Sequence, residues 1–342
     1  MNPALHSRLS AVVRTTLTVA ALAIAPFTAS AQVAAETDTR PLPQLTVPFD
    51  EQAFDAEFQS HFTRIDGLRI HYVMGGEGPP LVLLHGWPES SYSFRQIMPE
   101  LGKHFTVIAP DLRGFGDSDR PSSNAMSKEE IAADVTELVQ RLGHDEVSIV
   151  GHDWGGVIAY EMAWRNPGLV DRLVFFEMVL PGFKLDDPAF VAGYWQFGFH
   201  TSRDFPEMLL EGKEAEYMRA IMHSPNIYNP NAFTAEDIAE YERIYTKPGS
   251  TRAWLQIYRQ AAADGERYKA WAAERKLDMP VLALGGETSM RSWTEEDMRQ
   301  VATDVTGGII AQFGHFIEEN PQGALDALMP FLLDGIDGAT SN

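Results

Sequence analysis

Short apolar runs recur along the chain, separated by stretches in which apolar residues return at helical spacing. Leu68–Val73 alternates apolar and polar positions and ends at Gly75-Gly76, a turn signal. Leu81–Leu84, Phe105–Ala109, Val147–Val150 and Leu173–Phe176 are near-continuous apolar runs, as expected of strands buried on both faces. Before the run at Val147, Ser127 with Glu130 three residues later forms a capping box and predicts a helix to about Leu142. A second helix is predicted over Val157–Arg165. Strands that alternate with helices imply βαβ units and a mostly parallel sheet with helices on both faces.

The pattern changes after Pro181. Residues 181–273 are rich in aromatics and helical in texture, with no clear strand. Val281–Leu284 and Gly308–Ala311 then resume the strand pattern, and a last helix is predicted over Pro321–Leu333. The simplest organisation is an α/β core in two parts, 53–180 and 274–342, interrupted by a helical cap at 181–273. Such a cap would lie over the carboxyl ends of the strands, where open α/β sheets keep their active sites.

The N-terminus reads differently. Arg8 and Arg14 precede an apolar run at Thr15–Ala25, and Ala29-Ser30-Ala31 follows as a small-x-small site. This is the layout of a secretory signal peptide over residues 1–31. The apolar run is too short for a membrane span, so no membrane association is expected after cleavage. The mature chain would start near Gln32 and be exported, to the periplasm or beyond. Residues 32–52, with Pro41, Pro43 and Pro48, read as an extended leader.

Composition narrows the partners. A formal net charge of -21 repels nucleic acids and anionic membranes. The absence of cysteine removes disulfides, thiolate metal sites and cysteine nucleophiles together.

Three motifs and a choice between two acids carry candidate chemistry. Gly151-His152-Asp153-Trp154-Gly155-Gly156 follows a buried strand and opens a helix, which suggests a nucleophile elbow holding Asp153. Its plainer reading is that Asp153 caps the helix. His85-Gly86-Trp87-Pro88 ends another strand; the backbone N–H groups of Trp87 and Trp154 could together form an oxyanion hole. Phe313-Gly314-His315-Phe316 places a histidine after the last strand, within reach of the elbow. Glu177 or Glu287, each at a strand end, could orient His315. Glu177 is preferred because it terminates a buried apolar run and its carboxylate needs a partner there.

With these motifs assembled, the chain resembles the α/β-hydrolase-fold epoxide hydrolases and their haloalkane and fluoroacetate dehalogenase relatives. HGWPES, DLRGFGDSDRP, GHDWGG and GHFIEENP stand in that family's order over nearly all of the mature chain. More narrowly, it resembles the exported bacterial epoxide hydrolases of the Cif type, which place the relay acid where Glu177 stands. The resemblance implies that Tyr258, followed by Arg259, opens the ring. In that group a histidine in an aromatic cap stretch is its partner, whereas this chain has Gln196 within Tyr194-Trp195-Gln196-Phe197. Gln196 can donate a hydrogen bond but cannot deliver a proton at neutral pH. His200 lies close enough in sequence to stand in for the missing histidine.

The implied reaction has Asp153 attack an electrophilic carbon to form an alkyl ester, which water activated by His315-Glu177 then hydrolyses. An epoxide would yield a vicinal diol, and no metal or organic cofactor is needed. Trp195, Phe197, Phe190 and Phe199 suggest an apolar pocket for a small epoxide or halogenated substrate. A haloalkane-type dehalogenase would use the same nucleophile, with the indole N–H groups of Trp154 and of Trp195 or Trp87 receiving halide. A non-catalytic binding protein of this fold is the third alternative. The resemblance is compatible with a homodimer, and no sequence feature establishes one.

Overall fold

The computed structural model describes Leu42, residues 49–224 and residues 226–334. The expected signal peptide and most of the expected leader lie outside these residues. The described part of the leader is not all extended, because a helix over Glu51–Glu57 begins within it, capped by the Asp50 side chain.

Eight strands form one sheet among the described residues: β1 (Gln59–Ile65), β2 (Leu68–Gly75), β3 (Pro80–Leu84), β4 (Thr106–Pro110), β5 (Val147–His152), β6 (Val170–Phe176), β7 (Val281–Gly286) and β8 (Val305–Ile310). Their order is β1-β2-β4-β3-β5-β6-β7-β8. β2 runs antiparallel to both β1 and β4, and every other pairing is parallel. This is the mostly parallel sheet that the strand and helix pattern implied, in the α/β-hydrolase arrangement that the family resemblance implied. β1 was not anticipated: its burial alternates at an exposed edge, so no apolar run marks it. β8 starts at Val305 and ends at Ile310, earlier than the expected Gly308–Ala311, because two glycines dilute its apolar signal.

Alternate residues of each central strand feed opposite faces of the sheet. Val82, Leu84, Ile149, Leu173 and Phe175 join one apolar layer with the helices over Lys128–Arg141 and Trp154–Arg165. Leu81, Leu83, Val150, Val174 and Phe176 join the other, with Leu325, Leu328 and Leu332 of the helix over Pro321–Leu333. The capping box of the first of these helices forms as read, with Ser127 and Glu130 exchanging hydrogen bonds. The helix after the elbow begins at Trp154, three residues before the expected start at Val157.

Between β6 and β7 the regular elements of the described residues are helices, from the short turn at Lys184–Asp186 to the helix over Ala261–Glu274, with one isolated bridge from Leu277 to Ala302. They include Trp195–Thr201 and Ser250–Arg259, which supply the cap residues discussed below. A fully buried ion pair, Lys128 Nζ to Asp264 at 2.7 Å, joins the core to the last of these helices. No helix among the described residues is long and apolar enough to cross a membrane.

Candidate active site

β5 ends in a turn that only small neighbours permit. Asp153 sits at φ 51°, ψ -130°, a backbone shape that most side chains avoid. A Cβ on Gly155 would lie 2.0 Å from the Leu84 carbonyl oxygen, so the turn can press against β3 only because that atom is missing. Gly86 is constrained likewise: a Cβ there would meet Asp153 Oδ1 at 2.2 Å. The Asp153 side chain makes no hydrogen bond that caps the following helix. Instead its Oδ1 accepts the Trp87 backbone N–H at 2.8 Å.

Asp153 is buried, and burial pushes its pKa above the usual carboxylate range. His315, His152 and the backbone N–H groups of Trp87 and Trp154 pull the other way, so the site contains its own counter-charge. His315 Nε2 lies 3.8 Å from Asp153 Oδ2, close but beyond hydrogen-bond distance.

Glu177 follows β6 at φ 55° and is completely buried. Its Oε2 stands 3.1 Å from His315 Nδ1. Its Oε1 accepts the backbone N–H groups of Gly286 and Met290, so the carboxylate is held from both sides. Burial pulls the His315 pKa down, but the Glu177 hydrogen bond and the Asp153 charge outweigh it and raise the net value. Glu287 does not compete for this role. It is exposed and accepts the Gln312 backbone N–H at 2.8 Å.

A cavity of about 120 Å³ opens above Asp153 and His315. Trp87, Trp195, Gln196, Phe197 and Tyr258 line it. Tyr258 is buried, and burial together with the Asp153 charge raises its pKa well above the ordinary value, so the phenol keeps its proton. Trp195 reaches the cavity yet is 56% exposed, which places it at the rim.

Two residues sit elsewhere than their sequence position suggested. His200 does not line the cavity. It is buried behind the wall, its ring 4.4 Å from that of Tyr258, and its Nε2 is hydrogen-bonded to the Tyr217 hydroxyl. Burial lowers its pKa to about 3, so it is neutral and cannot supply a proton at neutral pH. The Trp154 side chain likewise stays off the cavity wall, edge-on to Tyr258 and Phe197.

Sequence reasoning passed over His152 and Glu89. Both are completely buried and bonded to each other at 2.7 Å, and His152 also reaches the main chain of His315. Their presence inside the two motifs that supply Asp153 and Trp87 was the available signal.

Comparison with known proteins agrees with this architecture. The sequence matches the alpha/beta hydrolase fold family over residues 79–205 and the epoxide hydrolase N-terminus family over residues 49–94. It is 40% identical to a soluble epoxide hydrolase of Corynebacterium sp. (strain C12), covering 80% of this chain and 97% of that protein. A fluoroacetate dehalogenase of Burkholderia sp. is 25% identical, covering 82% of this chain and 96% of that one. Among solved structures, wild-type Cfl2 from Burkholderia cenocepacia superposes with a TM-score of 0.76 at 35% identity, covering 85% of this chain and 98% of that one. The ligand-free epoxide hydrolase CorEH gives a TM-score of 0.73 at 38% identity, covering 80% of this chain and all of that one. With such identity spanning nearly the whole of an epoxide hydrolase, on an α/β-hydrolase sheet, this chain belongs to the epoxide hydrolase family of hydrolytic enzymes.

Proposed function

We propose that this enzyme opens small apolar epoxides to vicinal diols through a covalent ester on Asp153. One observation carries the reading. A buried carboxylate on a tight turn has one oxygen held by the Trp87 N–H and the other facing His315, beneath a cavity that also holds Tyr258.

In the first stage an Asp153 oxygen attacks a ring carbon. The C–O bond breaks, its electron pair goes to the epoxide oxygen, and Tyr258 donates its proton there. Gln196, on the same wall, donates a hydrogen bond that polarises that oxygen.

In the second stage His315 Nε2 takes a proton from water, which adds to the ester carbonyl. The oxyanion is held by the N–H groups of Trp87 and Trp154. Collapse releases the diol, with the leaving oxygen taking its proton from His315. The proton left on the Asp153 carboxyl then restores Tyr258. Ester formation removes the Asp153 charge that helps raise the His315 pKa, so His315 becomes a freer base at the step that needs one. A carboxylate nucleophile suits strained or activated saturated carbon. With an ordinary ester it would give an anhydride that collapses back.

The test is intact-protein mass spectrometry of His315→Ala with mixed epoxides and haloalkanes. An adduct of the whole epoxide mass, absent in an Asp153→Ala control, is expected. A second reading, dehalogenation, is supported by Trp87, which lines the cavity and whose indole N–H is buried with no hydrogen-bond partner among the described residues. It would give an adduct of the alkyl group without its halogen. No adduct from either panel would weaken the assignment of Asp153 as nucleophile and favour either substrates outside the two panels or a non-catalytic binding role. Export rests on the N-terminal pattern alone, and sequencing the N-terminus of protein recovered outside the cytoplasm tests it, with Gln32 the expected first residue.

A further inference from the structure

We propose that Lys128 is a positioning residue for ring opening: its buried ammonium ties the residue before Tyr258 to the residue after Asp153 and so sets the proton donor over the nucleophile. The proposal rests on the roles of Asp153 and Tyr258 given above.

Lys128 is the first residue of the helix over Lys128–Arg141 and is completely buried. The positive end of a helix dipole is an unfavourable place for a cation, so its own helix gains nothing from the charge. Three other segments meet at Nζ instead. It donates to the Ile257 carbonyl, pairs with Asp264 Oδ2 at 2.7 Å and stands 4.3 Å from the centre of the Trp154 ring. Ile257 belongs to the last turn of the helix over Ser250–Arg259, where the negative end of that dipole attracts a cation. Tyr258 is the next residue. Trp154 directly follows Asp153 and opens the helix behind the nucleophile turn. One ammonium therefore touches the chain neighbour of each reacting side chain, one in the cap and the other in the core.

Asp264 fixes this anchor on the cap side, since its Oδ1 also pairs with Arg267 at 2.8 Å. A buried ion pair is often no more stable than apolar side chains of the same volume, so stability alone does not account for a charge at this place. The Trp154 contact reaches the proton donor as well. Its ring is edge-on to Tyr258, with centroids 5.0 Å apart at 82°. The indole N–H is buried with no hydrogen-bond partner among the described residues, yet it is near enough to the phenol to oppose the rise that burial imposes on the Tyr258 pKa. When Tyr258 gives its proton to the epoxide oxygen, the phenolate left behind can accept a bond from this free N–H. A cation over the indole face is held by the ring and draws electron density from it, which strengthens the N–H as a donor.

The test uses the full chain and separates the two stages of the reaction. Lys128→Met with Asp264→Leu replaces the pair by apolar groups, which a buried site tolerates better than one unpaired partner. In a His315→Ala background, mass spectrometry follows ester formation from epoxides. The double change should slow it by about tenfold or more, because the donor is displaced. With His315 present, hydrolysis of an ester already formed should change far less. The loss should vanish when Tyr258→Phe is already in place, because both changes then act on the same proton transfer. Lys128→Gln, which can still donate to Ile257 but places no charge over Trp154, is the second variant should the first fail to fold. It too should slow ester formation only while Tyr258 is present. Ester formation at the unaltered rate, an equal loss in both stages, or a full further loss on top of Tyr258→Phe would make the ammonium a structural element only and overturn the proposal. Absence of any trapped ester when Lys128 is intact would instead sink the catalytic reading on which it stands, so the two failures are distinct.

Discussion

His315 Nδ1 lies 3.1 Å from Glu177 Oε2, a contact between residues 138 positions apart in the chain. It forms because β6 and β8 flank β7, so the loops at their carboxyl ends meet across it. The contact leaves Nε2 as the free nitrogen on the Asp153 side, the arrangement a base needs when water attacks an ester there.

Replacing Glu177 with Gln removes the anion that orients and charges this ring. Steady-state turnover should fall by about 10²- to 10⁴-fold. Ester formation should persist, so the adduct on Asp153 should accumulate in the mass spectrum during turnover.

Tyr258→Phe keeps the ring packing and deletes the only proton donor assigned to the epoxide oxygen. The rate of ester formation from epoxides should fall by about 10²-fold or more. Hydrolysis of an ester already formed should change far less, which single-turnover measurements can separate.

The Asp153 pKa lies above its unfolded value, and the sign of the consequence follows. The native state binds the proton more tightly, so stability falls as pH rises from the unfolded pKa through the native one. Above that window the ionised carboxylate is held at a cost. Asp153→Asn should therefore raise the melting temperature at neutral pH while abolishing ester formation. In the wild type, ester formation should fail on the acid side at a pH above the ordinary carboxylate range. Calorimetry and a pH profile of adduct formation check the two halves.

Lys128 and Asp264 form a completely buried pair at 2.7 Å between the core and the cap. Lys128→Met alone leaves the buried Asp264 carboxylate with Arg267 as its remaining counter-charge, 2.8 Å from Oδ1, and should cost less than the about 3–5 kcal/mol of a fully stranded buried charge. Replacing both partners, Lys128→Met with Asp264→Leu, should recover most of that loss. Chemical denaturation of the three proteins measures it.

Much of this protein can be read along the chain. Buried parallel strands need continuous apolar runs, so β3, β4, β5, β6 and β7 are visible as such, and Ser127 with Glu130 marks a helix start by local hydrogen bonding alone. The elbow is legible because its glycines answer a steric demand within a few residues. Edge strand β1 and glycine-diluted β8 carry weak patterns and were missed or misplaced.

What remained depends on distances between segments far apart in sequence. Glu177 and Glu287 end neighbouring strands and read alike, yet one is buried beside His315 and the other faces solvent. Gln196 and His200 sit one turn apart on one helix, yet only Gln196 reaches the cavity while His200 is turned into the wall. The hydrogen bonds of the His152 ring reach partners 63 and 163 residues away. Sequence alone determined the sheet's main strands, the nucleophile turn and the family of chemistry, because local sterics and burial patterns encode them. The tertiary structure decided which acid, which cap residue and which histidine serve the site, because those choices depend on packing and electrostatics that exist only once the strands are side by side.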